Sequence, residues 1–354
     1  MRIDRQQAFS GTTAADIDAA ALETYLARHI DGFAGPLSLA RFKGGQSNPT
    51  YKLSTPAKSY VLRRKPFGKL LPSAHAIERE YRVTEALARA GFPVAKPLHL
   101  CTDDQVIGAA FYVMDHADGR VFWEPHAPGL SGPERAALFD SLNHTIAQLH
   151  ALDPAALGLA DFGKPQGYVA RQIKRWSEQY RASETETVPE MDQLIAWLPA
   201  TCPQDSGAAI VHGDFRLDNC IIHPDEPRVI AVLDWELSTI GDPLADFTYH
   251  LMQWFMPVSE TGAGVGSLLG REGEPGLTAV EAYIADYCRR TGRSGIPDLH
   301  VYMAYNFFRL AAILQGILGR VRDGTAANAE AAAMARQVRP LAETAWGFAR
   351  KAGA

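Results

Sequence analysis

The stretch "VHGDFRLDNCIIHPDEPRVIAVLDWE" (211–236) decides the fold. Apolar residues typical of short buried strands flank the positions 212–219, which offer an imidazole, two carboxylates, a guanidinium and an amide. A further carboxylate, Asp234, ends the next apolar run, fifteen residues after Asn219. The pattern predicts short strands in a mainly helical region, with chemically active side chains on the loops that follow them.

These side chains match the needs of phosphoryl transfer. An aspartate beside the acceptor hydroxyl positions it and can take its proton, while an amide and a second carboxylate hold Mg²⁺ on the nucleotide phosphates. A loop suits them because a helix would point residues five apart in different directions. Each residue alone also fits a structural role, since aspartate forms turns and asparagine caps strands.

Composition limits the classes of protein to consider. The chain has 354 residues, 47% of them apolar and 21% charged, and a formal charge of -5, with Lys and Arg scattered along it. This balance argues against a nucleic-acid partner and is ordinary for a soluble protein. The N-terminus has no signal-peptide core and the apolar stretch 310–318 is too short to span a bilayer, so we expect a cytoplasmic location without a membrane. The four cysteines lack paired spacing and are interpreted as reduced.

The chain divides into a strand-rich part and a helix-rich part. After a leading helical segment (1–34), short apolar runs between Gly, Pro and Ser predict a small antiparallel sheet with one main helix in 35–117. Helical periods dominate 118–354, and a cleft is expected near 115–120. Helices are predicted at 14–30, 73–91, 131–150, 165–183, 189–198, 243–256, 277–292, 298–320 and 325–349.

The region 210–250 resembles the catalytic core of the aminoglycoside phosphotransferase and choline kinase family, and the likeness extends over about 35–320. Within that family the chain is most similar to kinase-like proteins, stand-alone or fused to acyl-CoA dehydrogenases, that carry "GGQSN", "YVLRR.P" and "LDWE..T.GDP..D". The resemblance implies an α+β, protein-kinase-like two-lobe fold. Its N-lobe has a small antiparallel β-sheet and one main helix, and its C-lobe is larger and mainly helical.

The resemblance also implies roles for individual residues. Asp214 is expected to be the catalytic base, Asn219 and Asp234 the magnesium ligands, and ATP or GTP is expected to bind between the lobes. Arg216 either neutralises the transferred phosphoryl group or pairs with Asp218 on the surface.

The loop "FKGGQSNPTY" (42–51) lies between two predicted strands. Gly44 and Gly45 would let the backbone approach phosphates, and Ser47 or Asn48 would donate hydrogen bonds to them. A simple hairpin turn is the alternative.

The strand after this loop carries Arg63 where the kinase-like pattern has a lysine. Arginine keeps the charge but is bulkier and more rigid, which changes how nucleotide phosphates are held. Its expected ion-pair partner is Glu80 on the 73–91 helix, with Glu78 as the nearby competitor.

The segment "FYVMDHADG" (111–119) is interpreted as the hinge between the lobes. The backbone of Asp115, His116 and Ala117 would hydrogen-bond an adenine edge, and Met114 would line the adenine pocket.

Two acids open the next predicted helix, in "GDPLADF" (241–247). Asp242 is expected to cap the helix, with Pro243 in its first turn. Asp246 is expected, by resemblance, to brace the His212–Asp214 loop.

The acceptor is expected to be a small molecule with a hydroxyl group. A polycationic aminoglycoside would call for an acidic pocket, yet residues 241–354 hold equal numbers of acidic and basic side chains. If the aromatic residues and arginines of that region face the cleft, the sequence favours an apolar, anionic acceptor such as a hydroxyacyl thioester of coenzyme A; otherwise they form a helical core. These residues are Trp254, Phe255, Met256, Tyr302, Tyr305, Phe307, Phe308, Arg309, Arg320 and Arg322.

Two other classes compete with the phosphotransferase. Arg63 would suit a nucleotide-binding pseudokinase with a regulatory role. A metal-dependent hydrolase would use His212, Asp214, Asp234 and His223 as ligands of a transition metal.

Overall fold

In the computed structural model the described residues are 9–13, 17–42, 48–67, 76–258, 266–323 and 336–354. They form two compact units, one within Met1–Val121 and Cys220–Ser238, the other within Phe122–Asn219 and Thr239–Ala354. The sequence predicts a boundary after residue 117 and assigns Cys220–Ser238 to the helical part, whereas the structure groups that segment with the first unit.

The first unit is built on a six-stranded sheet in the order β1-β2-β3-β4-β6-β5, with every neighbouring pair antiparallel. A helix, α1 (Ala19–His29), begins after Asp18, whose carboxylate accepts hydrogen bonds from the N–H groups of Ala20 and Ala21. The segment 1–34 is predicted to be helical, yet its residues Phe9–Thr13 form a strand, β1. The strands are β1 (Phe9–Thr13), β2 (Ser38–Phe42), β3 (Thr50–Ser54), β4 (Ser59–Arg64), β5 (Pro97–Cys101) and β6 (Phe111–Asp115).

Alternation along β4 explains where Arg63 points. Tyr60 and Leu62 are buried in the main apolar cluster of the unit, so the neighbouring Arg63 lies on the opposite face of the sheet. On that face Tyr112 of β6 stands directly across the ladder from Arg63. The helix α2 (Ile77–Arg89) packs there, since Ile77 and Tyr112 belong to one buried cluster.

The spacing of buried residues on α2 selects one acid for this face. Ile77, Glu80, Val83, Thr84 and Leu87 are buried at helical spacing, so Glu80 lies on the packed stripe. The helix begins at Ile77, later than predicted, and the cap predicted at Ser73 lies outside the described residues.

A hairpin of β8 (Cys220–Ile222) and β9 (Val229–Val232) completes the first unit. Single bridges join Val232 to Val94 and Ile222 to Arg120. The 3-10 helix Trp235–Leu237 follows β9, and Trp235 packs edge-on against Phe92 with ring centroids 5.9 Å apart. The end of β9, and with it Asp234, is thereby fixed to the segment after α2.

The second unit is mainly helical, and its two short strands, β7 (Ala209–Val211) and β10 (Thr239–Gly241), pair antiparallel. Helix α3, predicted at 131–150, begins with a capping box formed by Ser131 and Glu134. Helix α6 begins after Asp242, whose carboxylate accepts the N–H of Leu244 at 2.8 Å. The helices are α3 (Gly132–Ala151), α4 (Tyr168–Ser183), α5 (Pro189–Trp197), α6 (Pro243–Leu251), α7 (Val280–Thr291), α8 (Leu299–Arg322) and α9 (Val338–Lys351).

Two helical predictions differ in detail. The helix predicted at 243–256 ends as an α-helix at Leu251 and continues as the 3-10 helix Met252–Trp254. Part of the helix predicted at 325–349 lies outside the described residues, and α9 is the part described.

Helix α8 is long and apolar enough to cross a bilayer, but 83% of its most apolar window is buried, as in a core helix.

Candidate active site

The loop after β7 is held by contacts from two helices. Gly213 has φ +84°, a conformation that glycine adopts without strain. Asp246 of α6 accepts the backbone N–H of His212 at 2.8 Å through Oδ2 and that of Gly213 at 2.7 Å through Oδ1. Arg309 of α8 donates to the Gly213 carbonyl at 3.0 Å. The brace predicted for Asp246 is present, and the loop backbone is fixed from both sides.

Asp246 is a buried anion. Its Oδ2 lies 3.1 Å from Nε2 of His150, whose Nδ1 lies 2.8 Å from the Tyr287 hydroxyl. Burial alone would raise the pKa of Asp246, but the hydrogen bond and charge of His150, together with His212, hold that pKa below its ordinary value. The brace is therefore ionised wherever the protein is folded near neutral pH.

Asp214 is surrounded by three donors. The Tyr249 hydroxyl donates to Oδ1 at 2.6 Å, and Nδ2 of Asn219 donates to Oδ2 at 3.1 Å. Arg216 places Nε 3.0 Å from Oδ1 and donates from Nη2 to Oδ2 at 3.4 Å. The side chain of Asp214 is 20% exposed, so the carboxylate is oriented yet still reaches solvent.

Arg216 pairs with Asp218, as one of the two alternatives predicts, but its side chain is mostly buried rather than on the surface. Its Nη2 is 3.3 Å from Oδ2 of Asp218, and its side chain is only 15% exposed. Burial lowers the pKa of Arg216, but Asp214 and Asp218 outweigh that effect and keep the pKa above its ordinary value. A permanent positive charge therefore lies beside Asp214, and its role toward a phosphoryl group stays a prediction.

Asn219 ends the 3-10 helix Leu217–Asn219, and its amide nitrogen also donates to the Asp214 carbonyl at 2.9 Å. Because the nitrogen is committed to Asp214, the amide oxygen is directed elsewhere, as a metal ligand requires.

In the first unit, one guanidinium is paired with three carboxylates. Nε of Arg63 lies 2.8 Å from Oε2 of Glu80, and Nη2 lies 2.9 Å from Oδ1 of Asp234 and 3.6 Å from Oε2 of Glu236. The Arg63 side chain is 11% exposed. Burial lowers its pKa, but the carboxylates outweigh burial and the pKa lies above its ordinary value.

The partner predicted for Arg63 is the one observed. Glu80 also accepts from Nδ2 of Asn48 at 2.8 Å and from the Tyr112 hydroxyl at 3.2 Å. Burial, with the charges of Asp234 and Glu236, raises the pKa of Glu80 to about 7 against the opposing effect of Arg63. The competitor Glu78 instead contacts Lys65 at 2.5 Å. Asn48, predicted to donate to phosphates, is fully buried and braces Glu80.

Asp234 has an unusual backbone. Its φ of 64° and ψ of 62° lie in the left-handed region, which non-glycine residues adopt at a cost and mostly at functional sites. Its side chain is 37% exposed, with Oδ1 held by Arg63. Asp234 belongs to the first unit and Asn219 to the second, and their binding of one ion stays a prediction.

The predicted hinge residues lie at and after the end of β6. Met114 is half-buried and pairs with Val61 of β4. The N–H of Asp115, the last residue of β6, donates to the Lys96 carbonyl at 2.9 Å, so its carbonyl is the group that the adenine prediction leaves to this residue. Contact of an adenine with the backbone of Asp115, His116 and Ala117 stays a prediction. Gly44, Gly45 and Ser47 lie outside the described residues.

The aromatic residues proposed for the acceptor side are core residues. Trp254 and Met256 are buried, and Arg309 is buried against the Gly213 loop, while Arg320 and Arg322 are exposed. The argument from these residues for an apolar, anionic acceptor therefore loses its structural basis. Phe255 is partly exposed. The other aromatic residues are at most 1% exposed: Tyr302, Tyr305, Phe307 and Phe308.

The hydrolase alternative has no ligand set in the described part of the chain. No group of three His, Cys, Asp or Glu side chains is placed there to hold a metal ion. His212 is fully buried, and its Nδ1 accepts the N–H of Asp214 at 3.2 Å.

Sequence reasoning missed Tyr249 and His150. Tyr249 lies three residues after Asp246 on α6, so both side chains face the same loop. That spacing was a usable signal. No signal in the sequence pointed to His150, because its contact with Asp246 joins residues 96 positions apart.

A loop aspartate followed by an asparagine, and a second aspartate after the next hairpin, define the core of a kinase-like phosphotransferase. The chain belongs to the "Phosphotransferase enzyme family", whose sequence profile matches residues 38–300. Its fold is the protein-kinase-like fold predicted from the sequence.

Particular proteins share most of the chain. The mouse acyl-CoA dehydrogenase family member 10 is 44% identical over 338 residues, 94% of this chain and 31% of that protein. The chain thus spans less than a third of the length of this relative. A Ralstonia eutropha crystal structure, provisionally named an aminoglycoside phosphotransferase, is 48% identical and covers 95% of this chain and 99% of its own, with a TM-score of 0.86.

A more distant structure shares the fold alone. It is a thermostable mutant of aminoglycoside phosphotransferase APH(4)-Ia in a ternary complex with AMP-PNP and hygromycin B, 18% identical with a TM-score of 0.58. The alignment covers 92% of this chain and 98% of that one.

Proposed function

We propose that the chain transfers the γ-phosphoryl group of ATP or GTP, with Mg²⁺, to a hydroxyl group of a small molecule. The observation that carries this proposal is the partly exposed Asp214 carboxylate, held by Tyr249, Asn219 and Arg216 on the braced loop after β7. A fixed carboxylate of this kind orients an acceptor hydroxyl and takes its proton as the new O–P bond forms.

Oxygen donors suit the metal that the proposal needs. Asn219 offers its amide oxygen, because its nitrogen is committed to Asp214, and Asp234 offers a carboxylate that is 37% exposed. These are hard ligands of the type that Mg²⁺ prefers. When bound, Mg²⁺ would neutralise charge on the transferred and leaving phosphates. Arg216 would add a fixed positive charge on the Asp214 side.

Support for a nucleotide comes from the family and from the AMP-PNP complex of APH(4)-Ia. The hinge offers backbone groups at His116 and Ala117 for the adenine. We infer ATP as the first nucleotide to test and GTP as the second.

For the acceptor, we propose a hydroxyacyl thioester of coenzyme A. The support is the similarity to acyl-CoA dehydrogenase family member 10 and the equal numbers of acidic and basic residues in 241–354, which do not suit a polycation. The test is turnover of ATP with 4-hydroxyacyl-CoA and with kanamycin, side by side. Turnover of kanamycin alone would discard this acceptor.

The Asp214→Asn variant tests the base. We expect turnover to fall by about a hundredfold or more, since the amide cannot take the proton, while nucleotide affinity stays within about twofold. Asp286→Asn is the control, because Asp286 is an exposed acid on α7. Equal turnover of wild type and Asp214→Asn would refute the assignment.

A pseudokinase is the second candidate function, and Arg63 favours it. The guanidinium is already paired with Asp234, which the phosphotransferase needs for its metal. Binding of ATP without turnover of any hydroxyl acceptor, in wild type and in Arg63→Lys alike, would support this candidate against the first.

A further inference from the structure

Tyr249 contacts Asp214, and the sequence motifs around Asp214 do not predict this contact. Its side chain is buried on α6, and the hydroxyl donates to Oδ1 of Asp214 at 2.6 Å. The guanidinium of Arg309 lies 5.1 Å from the centre of its ring. Because Arg309 also holds the Gly213 carbonyl, the tyrosine ring and the loop are fixed by the same side chain.

The two oxygens of Asp214 are held differently. Oδ1 accepts one short hydrogen bond, from the Tyr249 hydroxyl at 2.6 Å, and Nε of Arg216 lies 3.0 Å from it as an ion-pair contact. Oδ2 accepts two longer hydrogen bonds, from Asn219 at 3.1 Å and from Arg216 at 3.4 Å. The Tyr249 hydroxyl therefore makes the shortest of the three hydrogen bonds that orient this carboxylate.

We propose that Tyr249 is the positioning residue of the base: its hydroxyl fixes Oδ1 of Asp214 and so sets the orientation in which the carboxylate meets the acceptor hydroxyl. This inference rests on the proposed phosphotransferase function and deepens it. In the reaction, the acceptor oxygen forms its bond to the γ-phosphorus as the bond to the leaving nucleoside diphosphate breaks. The acceptor proton passes to the Asp214 carboxylate.

The phenol is suited to this task at every pH of interest. Burial and the charge of Asp214 raise the pKa of Tyr249 well above its ordinary value, so the hydroxyl stays a donor. The other charged groups that face Asp214 are Arg216 and Asp218 on its own loop and Arg309 on α8. The arginines keep their charge throughout the experimental range, and Asp218 is paired with Arg216.

The test is Tyr249→Phe, which removes one oxygen and keeps the ring against Arg309. We expect kcat to fall by about tenfold to a hundredfold, because the base is no longer held in the reactive orientation, while KM for the nucleotide stays within about twofold.

Tyr302→Phe is the matched control. The Tyr302 hydroxyl donates to Oδ2 of Asp242 at 2.9 Å, so this variant also removes a buried phenol from a carboxylate, but not from Asp214. We expect a similar loss of thermal stability in both variants and a kcat within about twofold of wild type in Tyr302→Phe. A double-mutant cycle adds a second test, since Tyr249→Phe should have no further effect in the Asp214→Asn background.

The outcomes distinguish a failure of this inference from a failure of the proposed phosphotransferase function. No turnover by wild type with any hydroxyl acceptor would refute the phosphotransferase function, and the positioning role with it. Turnover by wild type with an unchanged kcat in Tyr249→Phe would refute the role of Tyr249 alone. A further loss from Tyr249→Phe in the Asp214→Asn background would also refute it, because the effect would not pass through the base.

Discussion

Asp246 offers the sharpest test of how the loop after β7 is held. Its Oδ1 accepts the Gly213 N–H at 2.7 Å, and its Oδ2 accepts the His212 N–H at 2.8 Å and lies 3.1 Å from Nε2 of His150. All of these atoms are buried with the carboxylate, which is 4% exposed. Asp246→Asn and Asp246→Ala remove different parts of this set.

In Asp246→Asn, the new amide oxygen can still accept from Gly213, but the amide nitrogen faces the other two donors. His150 can adapt by changing tautomer, so that Nε2 accepts from the amide and Nδ1 donates to the Tyr287 hydroxyl. The His212 N–H cannot adapt and is left without an acceptor. One buried unsatisfied donor costs about 1–3 kcal/mol, so we expect a loss of about 2 kcal/mol. Asp246→Ala leaves all of these donors without an acceptor and should lower the free energy of unfolding by about 4 kcal/mol.

The measurement is the free energy of unfolding in urea at pH 7. Since the pKa of Asp246 is lowered in the folded state, its contribution is present above the unfolded pKa near 4 and is lost only as the pH falls through the folded value. Asp286→Asn is the control and should cost less than about 0.5 kcal/mol, because its pair with Arg289 is exposed. A loss below about 1 kcal/mol for Asp246→Ala would refute the reasoning.

Two further predictions concern buried ionisable groups. Arg63→Lys should lower the free energy of unfolding by about 2 kcal/mol in urea titrations, because one ammonium cannot contact both Glu80 and Asp234 as the guanidinium does. An unchanged free energy of unfolding would contradict the pairing. Burial lowers the pKa of His250 to about 4, so this residue stays neutral in the folded protein while its unfolded form gains a proton below about pH 6.5. The stability it contributes is present above that pH and is lost toward pH 4, up to about 3 kcal/mol, and His250→Gln should show a correspondingly flatter pH dependence.

Most of the fold could be predicted from local signals in the sequence. Ser131 and Glu134 mark the start of α3, and the alternation along β4 separates Leu62 from Arg63, since both patterns follow from the geometry of one element. The grouping of the β8–β9 hairpin depends on longer-range contacts. The hairpin that ends at Asp234 belongs to the first unit because Val232 bridges to Val94, a contact between residues far apart in sequence.

The site divides in the same way. Asp214, Arg216 and Asn219 were identifiable because they lie within six residues and contact one another. The choice of Glu80 over Glu78 follows from the helical stripe of α2, which the sequence also contains. The aromatic residues of α8 were ambiguous, because a helix that is apolar on most of its surface suits a buried core as well as a binding face. Burial resolved that ambiguity in favour of the core.

The donors around Asp214 fit the kind of catalysis that the carboxylate would perform. Tyr249, Asn219 and Arg216 hold it in one orientation on the loop after β7. Phosphoryl transfer through a loose transition state makes little demand on the base before bond formation and depends mainly on position and charge. An aspartate held in this way would orient the acceptor hydroxyl first and take its proton as the new bond forms, which is why the phenol that orients the aspartate should matter to the rate.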